Sequence, residues 1–462
     1  MTGPDPNDPG LLSPPEASLL IDQYELTMSA SYLRQGLNEP AIFELFVRRL
    51  PPNRDWLLAA GLGPTLELIR GLRFGERELE YLRSLELFAD DFLDYLAAFR
   101  FTGDLEAMPE GTVCFANEPL IRVTAPRIDA QLLETLLLNQ INFQTMAATK
   151  AARVVLAAGG GEPGAGERVL DFSPRRDHGV DAAMKVARSA AVAGCGGTSN
   201  VASAMRYGLQ PVGTMAHSYV LSFDSEEAAF RSFMEDFPET AVILVDTYDT
   251  LDGVRHAISA SRDAGVRLAG VRLDSGDLLG LSRAARRLLD EAGMNETRIA
   301  ASGDLEEDLI AELVAASAPV DIWGVGTDLG TSRDSPVVNG VYKLVADRRG
   351  DGWRGVWKLS PDKETVPGPK QVFRRYIGGI MSDDVIAAAD EELEGEALLV
   401  PAMRDGEVVR RESLEEIRER ATAQLTALPE QLRRPVAGDT VEPHPVSYSE
   451  RLRAAMLGRH TS

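Results

Sequence analysis

The chain has 462 residues, 44% of them hydrophobic, and a formal charge of -23. That length exceeds one ordinary core and calls for two or three domains, or one large barrel with additions. The acidity argues against a general nucleic-acid binder, which needs a basic surface to displace counterions. The two cysteines, with no C-x-x-C pair, argue against a disulfide framework or a zinc site.

In chain order, residues 1–17 are acidic and Pro-rich, without a basic or apolar leader, and read as a disordered tail. No apolar run reaches the roughly 18 residues of a membrane span, so a cytoplasmic protein without membrane partners is expected. Leu20 to Gly36 reads as a helix with Asp22 as its N-cap, and Ala41 to Val47 as a strand. Trp56 to Gly61 and a helix from Pro64 to Leu72 follow, then a solvated helical pair within Glu76 to Phe99. Asp104 to Val123 reads as short strands broken by Pro109, Gly111 and Pro119, and Ala130 to Leu156 as one long helix. Gly159 to Gly166 is a glycine-rich loop with no assigned role.

Beyond it the pattern becomes periodic. Arg168 to Phe172, Val212 to Ala216, Ala241 to Val245, Arg267 to Leu273, Arg298 to Ala301 and Val320 to Trp323 are short apolar runs. A further short strand is possible within Gly194 to Thr198. Amphipathic helices such as Asp249 to Asp263 and Asp277 to Ala292 separate most of these runs. The alternation implies parallel strands with crossover helices, six or seven in number. The expected fold is an irregular parallel α/β barrel over 131–334, with an open doubly wound sheet as the alternative. Residues 18–130 read as an α+β unit, and 436–462 as a C-terminal tail with Pro443 and Pro445.

The strand ends carry the chemistry. Phe172-Ser173-Pro174-Arg175-Arg176, His217-Ser218, Asp246-Thr247-Tyr248-Asp249, Asp274-Ser275-Gly276-Asp277, Ser302-Gly303-Asp304 and Gly324-Val325-Gly326-Thr327 follow successive strands. In a parallel barrel they share one face. Asp249, Asp277 and Asp304 partly serve as helix caps. Capping does not account for Arg175, Arg176 and Arg272 or for the glycines, which together suit a phosphorylated ligand. His217 follows the glycine-rich Gly194–Asn200 stretch and a short helix, Val201 to Tyr207. It is one of five histidines, and a hydrogen-bonded core role is its alternative. His178 reads as solvated, His256 as a surface residue, and His444 and His460 receive no role.

Taken together, Asp22-Gln23-Tyr24-Glu25-Leu26-Thr27-Met28, Phe43-Glu44-Leu45-Phe46, Gly197-Thr198-Ser199-Asn200, Gly213-Thr214-Met215-Ala216-His217-Ser218, Val245-Asp246-Thr247-Tyr248-Asp249, Arg272-Leu273-Asp274-Ser275-Gly276-Asp277, Gly324-Val325-Gly326-Thr327 and Gly340-Val341-Tyr342-Lys343-Leu344 resemble the nicotinate phosphoribosyltransferase family. Lys358-Leu359-Ser360 and Lys370-Gln371-Val372-Phe373-Arg374 fit its C-terminal part.

The resemblance implies an α+β sandwich domain built from 18–130 and about 335–435, and a homodimer with shared active sites. It also implies an ATP-coupled transfer from 5-phosphoribosyl-1-pyrophosphate (PRPP) to nicotinate, giving nicotinate mononucleotide and pyrophosphate for NAD salvage. Mg²⁺ would accompany PRPP or ATP, with no dedicated protein cage. By the same resemblance His217 is a transient phosphohistidine and Asp246 orients it. Tyr24 of the partner subunit and Phe172 sandwich the pyridine. Arg175, Ser199, Thr214 and Arg272 contact nicotinate, and Asp274, Gly303, Gly324, Gly326, Thr327, Arg333 and Lys343 serve the phosphoribosyl and phosphate groups. Enzymes of nicotinamide or quinolinate on this scaffold, and a non-catalytic nucleotide-binding relative, are the alternatives. Retention of His217, Asp246 and Arg272 argues against the last. One departure is local: where the family more often has Gly after Asp-Phe, this chain has Ser173 and then Pro174, which restricts Ser173 to extended conformations.

Overall fold

The computed structural model describes residues 5–159, 165–358, 365–433 and 441–457. The described residues fall into two compact units, one within 5–149, 334–433 and 441–457, the other within 150–333. The middle of the glycine-rich loop, the 359–360 end of the Lys358-Leu359-Ser360 motif, and His460 lie outside the described residues.

The first unit is built on a seven-stranded sheet whose neighbouring strands are all antiparallel. Its central strand is Pro119–Pro126, and beside it Pro40–Val47 lies between Pro119–Pro126 and Gly340–Arg349. All of Pro40–Val47 except its first residue is buried, so it reads as an apolar run without alternation. Glu44 within it is fully buried and receives the ammonium of Lys370 at 2.7 Å. Helices Leu62–Gly71 and Asp90–Ala98 place apolar faces in this core, while Glu76–Ser84 buries only Leu82. A second sheet orders Glu396–Ala397, Lys370–Ile377, Ile380–Ala388 and Val446–Tyr448. The long helical pattern splits at Leu132–Leu133 into Arg127–Gln131 and Glu134–Ala157, and the division between units falls within the second helix.

Both expected tails carry structure. Pro14–Ala17 is a helical turn, because Glu16 accepts from the Ser13 N–H and hydroxyl and Pro14 starts it with φ preset. Ala17 is buried, and Pro14 packs on Gly71. At the other end, Val446–Tyr448 adds a parallel strand to Ile380–Ala388. His444, given no role from sequence, is buried and stacks on Phe115 at 4.0 Å between ring centroids.

Glu25, on helix Gln23–Arg34, is fully buried. Thr135 donates to Oε1, and Oε2 has no partner. Burial, aided by the Glu134 charge, pushes this carboxyl up to about 7 from its ordinary 4.5 despite the Thr135 bond. The folded state therefore holds a proton that the unfolded chain releases above pH 4.5, so stability falls as pH rises from about 4.5 to 7. Glu25→Gln should remove about 2 kcal/mol of that slope. Denaturation midpoints of both proteins across this window check it, and identical slopes would refute it.

The second unit holds a six-stranded parallel sheet in the order Gly197–Thr198, Val169–Asp171, Ile322–Val325, Arg298–Ala301, Gly270–Leu273, Val242–Leu244. The first strand in sequence pairs with the last, as a parallel barrel requires. Helices Val180–Val192, Val201–Tyr207, Thr250–Ala264, Leu278–Glu291 and Glu307–Ala315 intervene along the chain. Asp249 and Asp277 cap the third and fourth of these through their carboxylates.

Two expectations are corrected here. Val212–Ala216 does not form a strand. Pro211 makes a single bridge to Thr198, and the ladder stops there. Its neighbour is only two residues long, Pro211 lacks an N–H and Gly213 has no side chain to pack. Asp304 is not a cap. It sits at φ 42°, and Glu306 caps Glu307–Ala315 instead.

Candidate active site

Because the strands are parallel, the residues after their C-terminal ends gather at one edge of the sheet. Two adjoining cavities open there. The larger, about 250 Å³, is lined by Phe172, Arg175, Arg176, Arg272, Asp274, Gly303, Asp304, Gly324, Gly326 and Thr327. The smaller, about 160 Å³, is lined by Phe172, Pro174, Arg175, Ser199, Gly213, Thr214 and Arg272. Phe172, Arg175 and Arg272 belong to both.

Arg272, on Gly270–Leu273, is held from three sides. Its Nε donates to Ser302 Oγ at 2.7 Å, Nη1 to Thr214 Oγ1 at 3.2 Å and Nη2 to Asp274 Oδ1 at 2.6 Å. Its guanidinium lies 5.4 Å from the Phe172 ring centroid. Burial alone would raise the Asp274 carboxyl, but the Ser302 hydrogen bond and the Arg272 charge hold it below its ordinary value. The Arg175 and Arg176 side chains are exposed at the cavity, with no hydrogen bond or ion pair among the described residues.

The glycines permit close approach. Gly303 has φ 83°, and a Cβ there would meet the Asp274 carbonyl at 1.8 Å. A Cβ on Gly324 would strike the Phe172 ring at 2.6 Å. Gly326 and Thr327 lead into Thr327–Thr331, whose Asp328 pairs with Arg333 at 2.7 Å.

His217 begins the short helix His217–Val220. Its Nδ1 lies 3.2 Å from Thr247 Oγ1, and its Nε2 lies 4.0 Å from Asp246 Oδ1 and 3.9 Å from Asp274 Oδ2. Asp246 Oδ2 accepts from the Asp274 N–H and the Ser275 hydroxyl, while its buried Oδ1 has no hydrogen-bond partner. That free oxygen faces an imidazole nitrogen across a gap of about one ångström beyond hydrogen-bond range.

Thirteen of the fifteen residues expected at the site are thus residues of this unit, and ten of them line the two cavities. His217 and Asp246 adjoin the lining residue Asp274, while Arg333 pairs with Asp328, the residue after Thr327 in sequence. Tyr24 and Lys343 belong to the other unit, where both flank Glu134; its carboxylate and burial raise the Tyr24 phenol. Arg176, marked in the sequence only as suiting a phosphorylated ligand, lines the larger cavity, as does Asp304, expected only as a cap; Pro174, Gly213, Ser302, Ser275 and Thr247 received no site role from the sequence. Ser302 stands directly beyond the strand Arg298–Ala301, and Thr247 three residues beyond Val242–Leu244, the signal that marked their neighbours. Of the other histidines, His178 is exposed, and His256 lies 2.9 Å from the buried Glu226.

Three family models match in succession: the nicotinate phosphoribosyltransferase N-terminal domain over 19–142, the nicotinate phosphoribosyltransferase family over 168–315, and its C-terminal domain over 389–456. The nicotinate phosphoribosyltransferase pncB2 of Mycobacterium tuberculosis is 47% identical over 439 residues, covering 94% of this chain and 92% of the relative. The nicotinate phosphoribosyltransferase of Bacillus subtilis is 42% identical over 390 residues, covering 83% and 78%. The crystal structure of human nicotinic acid phosphoribosyltransferase superimposes with a TM-score of 0.83 at 27% identity, over 96% of this chain and all of that one. With these likenesses spanning both units, the chain belongs to the nicotinate phosphoribosyltransferase family.

Proposed function

We propose that this enzyme transfers the phosphoribosyl group of PRPP to the ring nitrogen of nicotinate, releasing pyrophosphate and supplying NAD salvage, with ATP turnover coupled through a phosphohistidine at His217. The observation that carries this reading is Arg272, shared by two cavities of different character. The smaller offers an aromatic face from Phe172 and hydroxyls from Ser199 and Thr214, which suits a pyridine bearing a carboxylate. The larger offers two unpaired guanidinium groups and glycine backbone, which suits phosphates.

The ring nitrogen attacks C1 of the ribose as pyrophosphate leaves, and the sugar carries positive charge in between. Little acid–base help is needed, so the protein's work is positioning and charge stabilisation. Arg272 and Ser199 hold the nicotinate carboxylate, Phe172 stacks on the ring, and Arg175 and Arg176 balance the phosphates. Gly303, Gly324, Gly326 and Thr327 let backbone approach the phosphoribosyl group, with Arg333 nearby. Asp274 and Asp304 are the carboxylate oxygens lining the larger cavity, and their hard-donor chemistry fits Mg²⁺ arriving with PRPP. That ion would neutralise charge on the leaving group. Tyr24 completes the site from a second copy of the chain in a homodimer, and Lys343 supplies positive charge for the phosphates.

For His217, the supporting geometry is the buried, unpartnered Asp246 Oδ1 facing Nε2. An imidazole is a good nucleophile near neutral pH and a good leaving group once protonated. ATP labelled on its γ-phosphate should leave an acid-labile, base-stable label on the protein. His217→Ala should abolish both the label and the stimulation by ATP, while some transfer survives at high substrate concentration. A label that persists in this variant would remove His217 from the mechanism.

A further inference from the structure

Ser173 is fully buried and bonded at each polar group. Its N–H donates to Asp171 Oδ1 at 2.9 Å, and its hydroxyl donates to Asp177 Oδ2 at 3.1 Å. Its carbonyl accepts from the N–H groups of Arg176 at 2.6 Å and Asp177 at 3.2 Å. The segment presenting Arg175 and Arg176 to the larger cavity is therefore a tight turn bracketed by two carboxylates.

Asp177 also touches the opposite wall. A Cβ on Gly330 would meet Asp177 Oδ1 at 1.9 Å and Ser173 Cβ at 2.5 Å. Gly330 lies in Thr327–Thr331, whose first residue lines the same cavity. The Asp177 carboxylate is thus wedged between the arginine turn and the segment carrying Gly326 and Thr327. A glycine in place of Ser173 would have no hydroxyl to engage it.

We propose that Asp177 is a positioning residue for the phosphorylated substrate: through Ser173 on one side and Gly330 on the other, it sets the spacing between the arginine turn and the Gly326–Thr327 wall. This rests on the reading of the larger cavity as a phosphate site. Asp177 lines neither cavity, so its effect passes through Arg175 and Arg176.

The test is steady-state kinetics with PRPP and nicotinate varied separately, using Asp177→Ala, Ser173→Ala and the pair together. Each single change should raise KM for PRPP by about tenfold, with KM for nicotinate moving less than about twofold. The double variant should be no worse than either single one, because both cut the same link. Asp177→Asn keeps an acceptor for the Ser173 hydroxyl and should stay within about threefold of the parent. Additive effects, or equal rises in both KM values, would overturn the positioning role. Should Asp177→Ala fail to fold, Ser173→Ala and Ser173→Gly carry the same comparison. Arg176→Ala separates the two readings. Raised KM for PRPP there, with none in Asp177→Ala, overturns positioning alone. Unchanged KM for PRPP in Arg176→Ala overturns the phosphate reading and the positioning role with it.

Discussion

Arg272→Met is expected to lower kcat/KM for nicotinate by about a thousandfold, since truncating one partner of a desolvated, hydrogen-bonded charge pair costs about 3–5 kcal/mol. Two losses combine. The substrate carboxylate loses its fork of donors, and Asp274 loses the guanidinium at 2.6 Å that, with the Ser302 hydrogen bond, holds its carboxyl below the ordinary value. Arg272→Lys restores a charge but not the planar fork that bonds Ser302, Thr214 and Asp274 together. It should recover only part of the activity. A loss below about tenfold in the Met variant, with the fold intact by circular dichroism, would place acid recognition elsewhere.

The largest effect on stability is expected from Arg374→Met in the first unit. Arg374 is completely buried on Lys370–Ile377. Its Nε and Nη2 bind Asp384 at 3.0 and 2.6 Å, and Nη1 binds the Val113 carbonyl at 2.8 Å and Gln424 at 2.7 Å. Glu118 lies 3.9 Å away. Burial raises the Glu118 carboxyl well above its ordinary range. Asp384 is held low against burial by His444 and Arg374. Without the guanidinium Asp384 becomes an uncompensated buried charge, and the cost should be about 3–5 kcal/mol in chemical denaturation. Adding Asp384→Leu should return most of that loss, because an apolar pair of similar volume is nearly neutral there. A cost below about 1 kcal/mol for Arg374→Met would mean that solvent or rearrangement compensates the charge.

The parallel unit was the most legible part of the chain. Its strands are short apolar runs between amphipathic helices, and such patterning depends on local burial alone. Asp249 and Asp277 cap helices as the sequence indicates, since a cap requires only the next three residues. Asp304 resembles them in sequence yet sits in a left-handed conformation beside Gly303. Its place is set by how closely Gly303 approaches the Asp274 carbonyl, a contact between residues far apart in the chain. Val212–Ala216 fails as a strand for a similar reason. Its apolar run fits a strand, but the strand that Pro211 bridges offers two residues for pairing.

By itself the sequence determined the class of fold, the order of its elements and the residue types at each strand end, because these follow from periodicity, capping and punctuation along a short stretch of chain. Only the tertiary structure decided which of those residues meet. Arg272 between Ser302 and Thr214, Asp177 against Gly330, and Arg374 buried against Gln424 and Glu118 all join segments distant in sequence. A buried charge or hydroxyl is stable only where partners converge on it, and convergence is a property of the packed chain.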